Sequence, residues 1–190
     1  MRIVAGAFRG RVLKTVEGPG YRPAMARVRE ALFSMLEARG VVWPACSALD
    51  LFAGSGSLAF EALSRGAPLA QMVELAPQAV ACLRSNAQTL GLDEGRCRIV
   101  QDNVARVLAR QPYAPFSVVF IDPPYGKNLL PPTLRALLRN NWVEEGGMVT
   151  AEVESALPFD AAAAHPQLEL LTERRFGQTR IVIWKLSTPA

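Results

Sequence analysis

The sequence predicts an α/β fold built on a parallel sheet that ends in an antiparallel hairpin. From residue 47 onward, short apolar runs alternate with stretches of helical period, the pattern of repeated βαβ units. The late stretch LELLTERRFGQTRIVIWKL holds two β-type runs around Gly177. Too few residues separate them for a crossover helix, so they must pair antiparallel. With 190 residues, half of them hydrophobic and a fifth charged, the chain can bury one sizeable core.

Taken in order, residues 2–5 and 11–16 are β-type runs separated by Gly6 and Gly10, which predicts a hairpin. EGPGYRP is loop. Over 25–38, Val28, Leu32, Met35 and Leu36 recur at helical spacing, and Gly40 supplies a stop. Strands are expected near 47–52, 69–74, 97–101, 116–121 and 147–153, with helices near 57–65, 77–90, 103–110 and 130–139. The helix over 77–90 is the clearest, because Pro77 suits a first helical position, Val80, Leu83, Ala87 and Leu90 share a face, and Gly91 suits the residue after the end. The closing hairpin spans 168–186.

Composition narrows the classes. No apolar run approaches the eighteen or so residues of a membrane span, and MRIVAGAFRGR lacks the apolar stretch of a secretory signal. A cytoplasmic protein is expected. Cys46, Cys82 and Cys97 are odd in number and widely spaced, which argues against a disulfide framework and a zinc site, so no metal is expected. Charge is uneven. Residues 1–40 carry Arg2, Arg9, Arg11, Lys14, Arg22, Arg27, Arg29 and Arg39 against Glu17, Glu30 and Glu37, while residues 41–190 are close to neutral within a chain of net charge +4. A basic N-terminal extension (1–40) before a neutral body (41–190) suits a polyanion, and equally a solvated basic face.

In open parallel sheets ligands bind beyond the carboxyl ends of the strands, and three of these ends are unusual. In ALDLFAGSGSLAFEAL a strand runs through Asp50, Phe52 and Ala53 into Gly54, Ser55 and Gly56, then a helix. Glycines allow a tight turn and close ligand approach, and the helix start offers free amides. The second end places Glu74, with Leu75 behind it, eighteen residues beyond Gly56. A carboxylate there suits ribose hydroxyls, which indicates a nucleoside without specifying which. Asp102 and Asn103, after the third run, suit either an adenine edge or a helix cap.

SVVFIDPPYG decides among nucleoside enzymes. Prolines fix φ and lack amide hydrogens, so Asp122, Pro123 and Pro124 form a rigid edge rich in acceptors and poor in donors. Such an edge suits a planar amino group, with Asp122 and the Pro123 carbonyl each accepting one N–H while Tyr125 stacks on the ring.

Asp50-Leu-Phe-Ala-Gly-Ser-Gly56, Glu74 and Asp122-Pro-Pro-Tyr125 resemble class I S-adenosylmethionine-dependent methyltransferases that modify exocyclic amino groups. Met1-Arg-Ile-Val-Ala-Gly6, Arg9-Gly-Arg11, Arg22-Pro23, Arg27-Val-Arg-Glu-Ala-Leu-Phe33 and Phe176-Gly-Gln-Thr-Arg180 resemble the bacterial 16S rRNA guanine-N2-methyltransferase family, RsmD. The likeness runs over nearly the whole chain. It departs at Ala24 and Ala26, where the family usually has Thr and Asp, and at Ala76, where an acid is common. The resemblance implies a Rossmann-like, seven-stranded, mostly parallel sheet with one antiparallel strand. It implies S-adenosylmethionine, with Asp50 and Gly54 to Gly56 around the methionine part, Glu74 at the ribose, and Asp102 and Asn103 at the adenine. Its substrate would be 16S rRNA in the assembled or assembling small subunit, gripped by Arg2, Arg9, Arg11, Arg22, Arg27 and Arg29; the sequence leaves oligomeric state open, with a monomer the default.

Three rivals are weighed against this. A nicotinamide oxidoreductase would use the glycines and Glu74 but not the DPPY tetrad. An adenine-N6 methyltransferase on DNA or RNA would use the tetrad, and only the flanking resemblance favours guanine. A nonenzymatic RNA-binding factor would need neither.

Overall fold

The computed structural model describes residues 1–16, 26–124 and 126–187. After α1 (Ala26–Glu37) come β1 (Ala48–Leu51), α2 (Ser57–Ser64), β2 (Ala70–Glu74), α3 (Pro77–Thr89), β3 (Cys97–Gln101) and α4 (Val104–Leu108). Then follow β4 (Phe116–Ile121), α5 (Leu130–Arg139), β5 (Val143–Glu154), β6 (Leu168–Phe176) and β7 (Thr179–Leu186). Among the described residues these strands form one seven-stranded sheet in the order β3-β2-β1-β4-β5-β7-β6. The first five run parallel, and β7 enters antiparallel between β5 and β6. This is the expected Rossmann-like arrangement. The chain order reverses between β1 and β4, the place where such sheets open a crevice.

Side-chain alternation sorts the core onto the two faces of the sheet. Ala48, Met72, Phe120 and Ile183 pack with α1, α2 and α3 on one face, whereas Leu49, Val73, Val119 and Trp184 pack with α4 and α5 on the other. Central β1 is buried throughout, as a strand covered by helices on both faces must be. The basic extension shares this core. Phe33 of α1 lies 4.9 Å from Trp43 and 5.7 Å from Phe120, ring centre to ring centre, and Ile3 and Leu13 are buried with them. No helix among the described residues is long and apolar enough to cross a membrane.

Several expected boundaries change. The expected N-terminal hairpin reduces to a single antiparallel bridge, Arg2 with Val12. Its physical cause is a competing acceptor, because the Val4 and Ala5 amides donate to the Glu61 carboxylate (2.9 and 3.0 Å) and are lost to a strand ladder. The segment instead lies along α2, with the Ala7 amide on the Ser64 carbonyl (2.7 Å). Gly6 makes that approach possible: a Cβ there would sit 1.8 Å from the Ser64 carbonyl oxygen. The strand expected at 147–153 begins at Val143, because Glu144 to Gly147 are drawn in beside β4 across a register shift. α4 begins one residue later than expected, since Asn103 is its cap, and ends at Leu108.

Candidate active site

The glycine turn after β1 is built as its sequence requires. Phe52, Gly54 and Gly56 adopt φ of +66°, +55° and +80°. For Phe52 this is a strained conformation, of the kind that clusters where a ligand is held. Gly56 has no room for a side chain, since a Cβ would meet Phe60 at 2.5 Å and Leu83 at 2.7 Å. Ala53 is buried, and α2 starts directly after the turn without a capping side chain of its own. Asp50 supplies the missing acceptor: its buried carboxyl takes the Ala59 amide at 3.2 Å.

Glu74, at the end of β2, closes the turn from the other side. One carboxylate oxygen accepts the Gly54 amide and the other the Ala76 amide, both at 2.8 Å. Leu75, beside it, is 61% exposed. At the end of β3 the cap falls to Asn103 and not to Asp102. Asn103 caps α4 by accepting the Ala105 amide at 2.8 Å, and Asp102 stands half-buried before it, accepting the Asn103 amide at 2.7 Å.

Asp122 and Pro123 leave β4 on the opposite side of the crevice, both partly buried, with Pro124 exposed after them. Tyr125 lies outside the described residues. The Gly126 amide donates to Glu154 at 2.7 Å, which ties the turn to β5. Desolvation pushes the Asp122 carboxyl up to about 7. Burial likewise raises Asp50 to about 8, helped by the charges of Asp122 and Glu74 and opposed by the Ala59 amide. A third group joins them. Glu152 on β5 is raised to about 8 by desolvation and then by Asp122 and Asp50. The crevice is therefore a carboxylate-rich pocket that favours positive charge or hydrogen-bond donors.

Three polar residues that organise this region escape a reading of the sequence. Buried Asn86 of α3 accepts the Lys14 amide at 2.9 Å and donates to the Lys14 carbonyl at 3.1 Å, while Ser55 of the turn accepts the Val16 amide at 2.9 Å. The basic segment is thus fastened to the glycine turn. Glu61 and Glu152 are the others. For Glu61 the signal is a lone acid within an apolar helix, whereas Asn86 and Glu152 lie among other polar residues and carry no such mark.

Among the basic residues, Arg2, Arg9, Arg11 and Arg27 are exposed, with Arg2 donating to the Gly10 carbonyl at 2.9 Å. Arg22 lies outside the described residues. Arg29 must be withdrawn from the expected RNA grip. It is 1% exposed, paired with Glu61, and donates to the Arg2 carbonyl. The cause is its place on the buried stripe of α1 with Phe33 and Leu36, where an acid waits on α2.

Known proteins share this sequence pattern and fold. The family model described as Conserved hypothetical protein 95 matches residues 1–185. Ribosomal RNA small subunit methyltransferase D of Escherichia coli is 41% identical over 160 residues, 83% of this chain and 78% of that protein. Its namesake in Haemophilus influenzae is 37% identical, over 84% of this chain and 81% of that protein. The solved structure of Escherichia coli yhhF superposes with a TM-score of 0.84 at 34% identity, over 100% of this chain and 99% of the other. The chain therefore belongs to the Conserved hypothetical protein 95 family, together with the ribosomal RNA small subunit methyltransferase D proteins.

Proposed function

We propose that the protein transfers a methyl group from S-adenosylmethionine to the exocyclic N2 of a guanine in 16S rRNA of the small ribosomal subunit. The observation that carries this reading is the acceptor-rich edge Asp122-Pro123 that follows β4, directly across the reversal point from the glycine turn after β1. The relatives are named for small-subunit rRNA.

The residues fit the cofactor. Gly54 to Gly56, with Phe52, Ala53 and Asp50, would surround its methionine part, Glu74 would take the ribose hydroxyls, and Leu75, Asp102 and Asn103 would border the adenine. Support comes from the left-handed turn at Phe52, Gly54 and Gly56 and from the carboxylates, which suit a cation. The cofactor supplies a methyl group on a positively charged sulfur.

The rest is done by this chain. A guanine amino nitrogen is a poor nucleophile, because its lone pair is delocalised into the ring. With one hydrogen on Asp122 and the other on the Pro123 carbonyl, the nitrogen pyramidalises and its lone pair is freed for attack. Tyr125 would stack on the base. Methylation makes the nitrogen acidic, and its proton leaves to Asp122 or water. An Asp122 carboxyl near 7 is suited to that task. The target base must leave its stack to reach the crevice, which is cheapest in a single-stranded loop. Arg2, Arg9, Arg11, Arg22 and Arg27 of the extension over 1–40 would hold the phosphates around it, in front of a methyltransferase domain over 41–190. We take the enzyme to act as a cytoplasmic monomer on the assembled or assembling subunit.

The test is transfer of labelled methyl from S-adenosylmethionine to small subunits from cells lacking this protein, followed by nucleoside digestion and mass analysis. N2-methylguanosine at one site is the expected product. N6-methyladenosine would overturn the base, and no transfer would overturn the activity.

A further inference from the structure

Glu152 is a charged residue placed where the fold has no structural use for one. It is the third residue from the end of β5, between Ala151 and Val153, which pack into the core on the α4–α5 face. Alternation therefore sends its side chain to the opposite face, the one that carries Asp50 on β1 and Glu74 on β2. The last β4–β5 register pair, Ile121 with Ala151, brings Glu152 beside Asp122. Its Oε1 is buried and has no hydrogen-bond partner. A buried acceptor without a donor, beside the edge proposed to hold the target amino group, calls for a donor brought by a ligand.

We infer that Glu152 reads the Watson–Crick edge of the target base, its carboxylate accepting the guanine N1–H beside the amino group held by Asp122 and Pro123. This inference rests on the guanine-N2 reading. Guanine presents three hydrogens in a row on that edge, two on N2 and one on N1, and three acceptors meet them: Asp122, the Pro123 carbonyl and Glu152. Adenine can offer its amino group to the same edge, yet its neighbouring N1 carries a lone pair. Against a carboxylate that lone pair is repelled and Glu152 stays unpaired, the arrangement that gives the strongest discrimination between analogues. Burial beside Asp122 and Asp50 favours a protonated Glu152 in the empty site, whereas the guanine N1–H favours the ionised carboxylate, and the discrimination against adenine belongs to that ionised form. The DPPY tetrad, which serves guanine and adenine amino groups alike, thus acquires its base preference from the adjacent strand.

The test uses small subunits carrying either guanine or adenine at the methylated position, with wild type, Glu152→Gln and Glu152→Ala. Wild type is expected to form N2-methylguanosine and to leave the adenine subunits unmodified. Glu152→Gln can donate to adenine N1, so its adenine-to-guanine ratio of kcat/KM should rise at least about tenfold, with the guanine rate lowered. Glu152→Ala should lose guanine turnover without that gain in adenine methylation. S-adenosylmethionine affinity, measured by calorimetry, should stay within about threefold of wild type in both variants. An unchanged base ratio in Glu152→Gln, or loss of cofactor binding with turnover, would overturn the role of Glu152. Failure of wild type to make N2-methylguanosine would instead overturn the guanine reading itself.

Discussion

Arg29 of α1 and Glu61 of α2 form a buried ion pair, Nε to Oε2 at 3.4 Å, with neither side chain more than 2% exposed. Burial lowers the Arg29 pKa and the Glu61 charge counters that effect. Glu61 also accepts the Val4 and Ala5 amides and the Arg65 guanidinium at 3.1 Å. Glu61→Ala would strand a buried guanidinium and two amides, and should cost about 3–5 kcal/mol. Urea unfolding measures this, and limited proteolysis should show early cleavage before residue 16. A loss under about 1 kcal/mol would mean that water replaces the carboxylate.

The carboxylate-rich crevice makes stability depend on pH. Asp50, Asp122 and Glu152 sit near 8, 7 and 8 in the folded protein, against ordinary values of 3.8 for Asp and 4.5 for Glu. The fold therefore favours their protonated forms. That stabilisation is fully present below the ordinary values and is lost progressively as pH rises from there through the folded values of about 7 and about 8. The urea midpoint of the cofactor-free protein should fall across this window, and Asp50→Asn should flatten part of the fall. A midpoint that rises with pH would contradict the shifts.

Asp122→Ala separates holding the amino group from holding the cofactor. Turnover should drop by about 10²–10³-fold while the Kd for S-adenosylmethionine changes little. Single-turnover methyl transfer and calorimetry on the same preparation decide this. Equal losses of both would make Asp122 a structural residue.

Charge reversal at Arg9 and Arg11 tests the RNA grip, since both are exposed on the docked N-terminal segment. RNA affinity should weaken, and the slope of log affinity against log salt should fall by about 1 for each phosphate contact removed. Cofactor affinity should not move. Methylation of small subunits at the wild-type rate would refute the grip.

The sequence shows the strand ends plainly because each is a local signal: Asp50 with its glycines, Glu74 eighteen residues beyond Gly56, and Asp122 with its prolines all follow apolar runs. The residues it conceals work through partners far along the chain. Arg29 looks like Arg27 by charge, and only the acid 32 positions later on α2 buries one and leaves the other in water. Asn86 reaches back 72 residues to Lys14, a closure that no periodicity encodes. The N-terminal runs had strand composition, but their amides were taken by Glu61, a competitor invisible at the level of β propensity.

α2 carries the glycine turn at its first residue and the docked basic segment at its last, where Gly6 closes on Ser64. Eight residues at the α-helical rise span about 12 Å. That short rod acts as a yardstick between the place where a phosphate backbone would rest and the place where a methyl donor would lie. One residue inserted into it would swing its two ends about 100° out of phase, so the enzyme would keep both grips and lose their alignment.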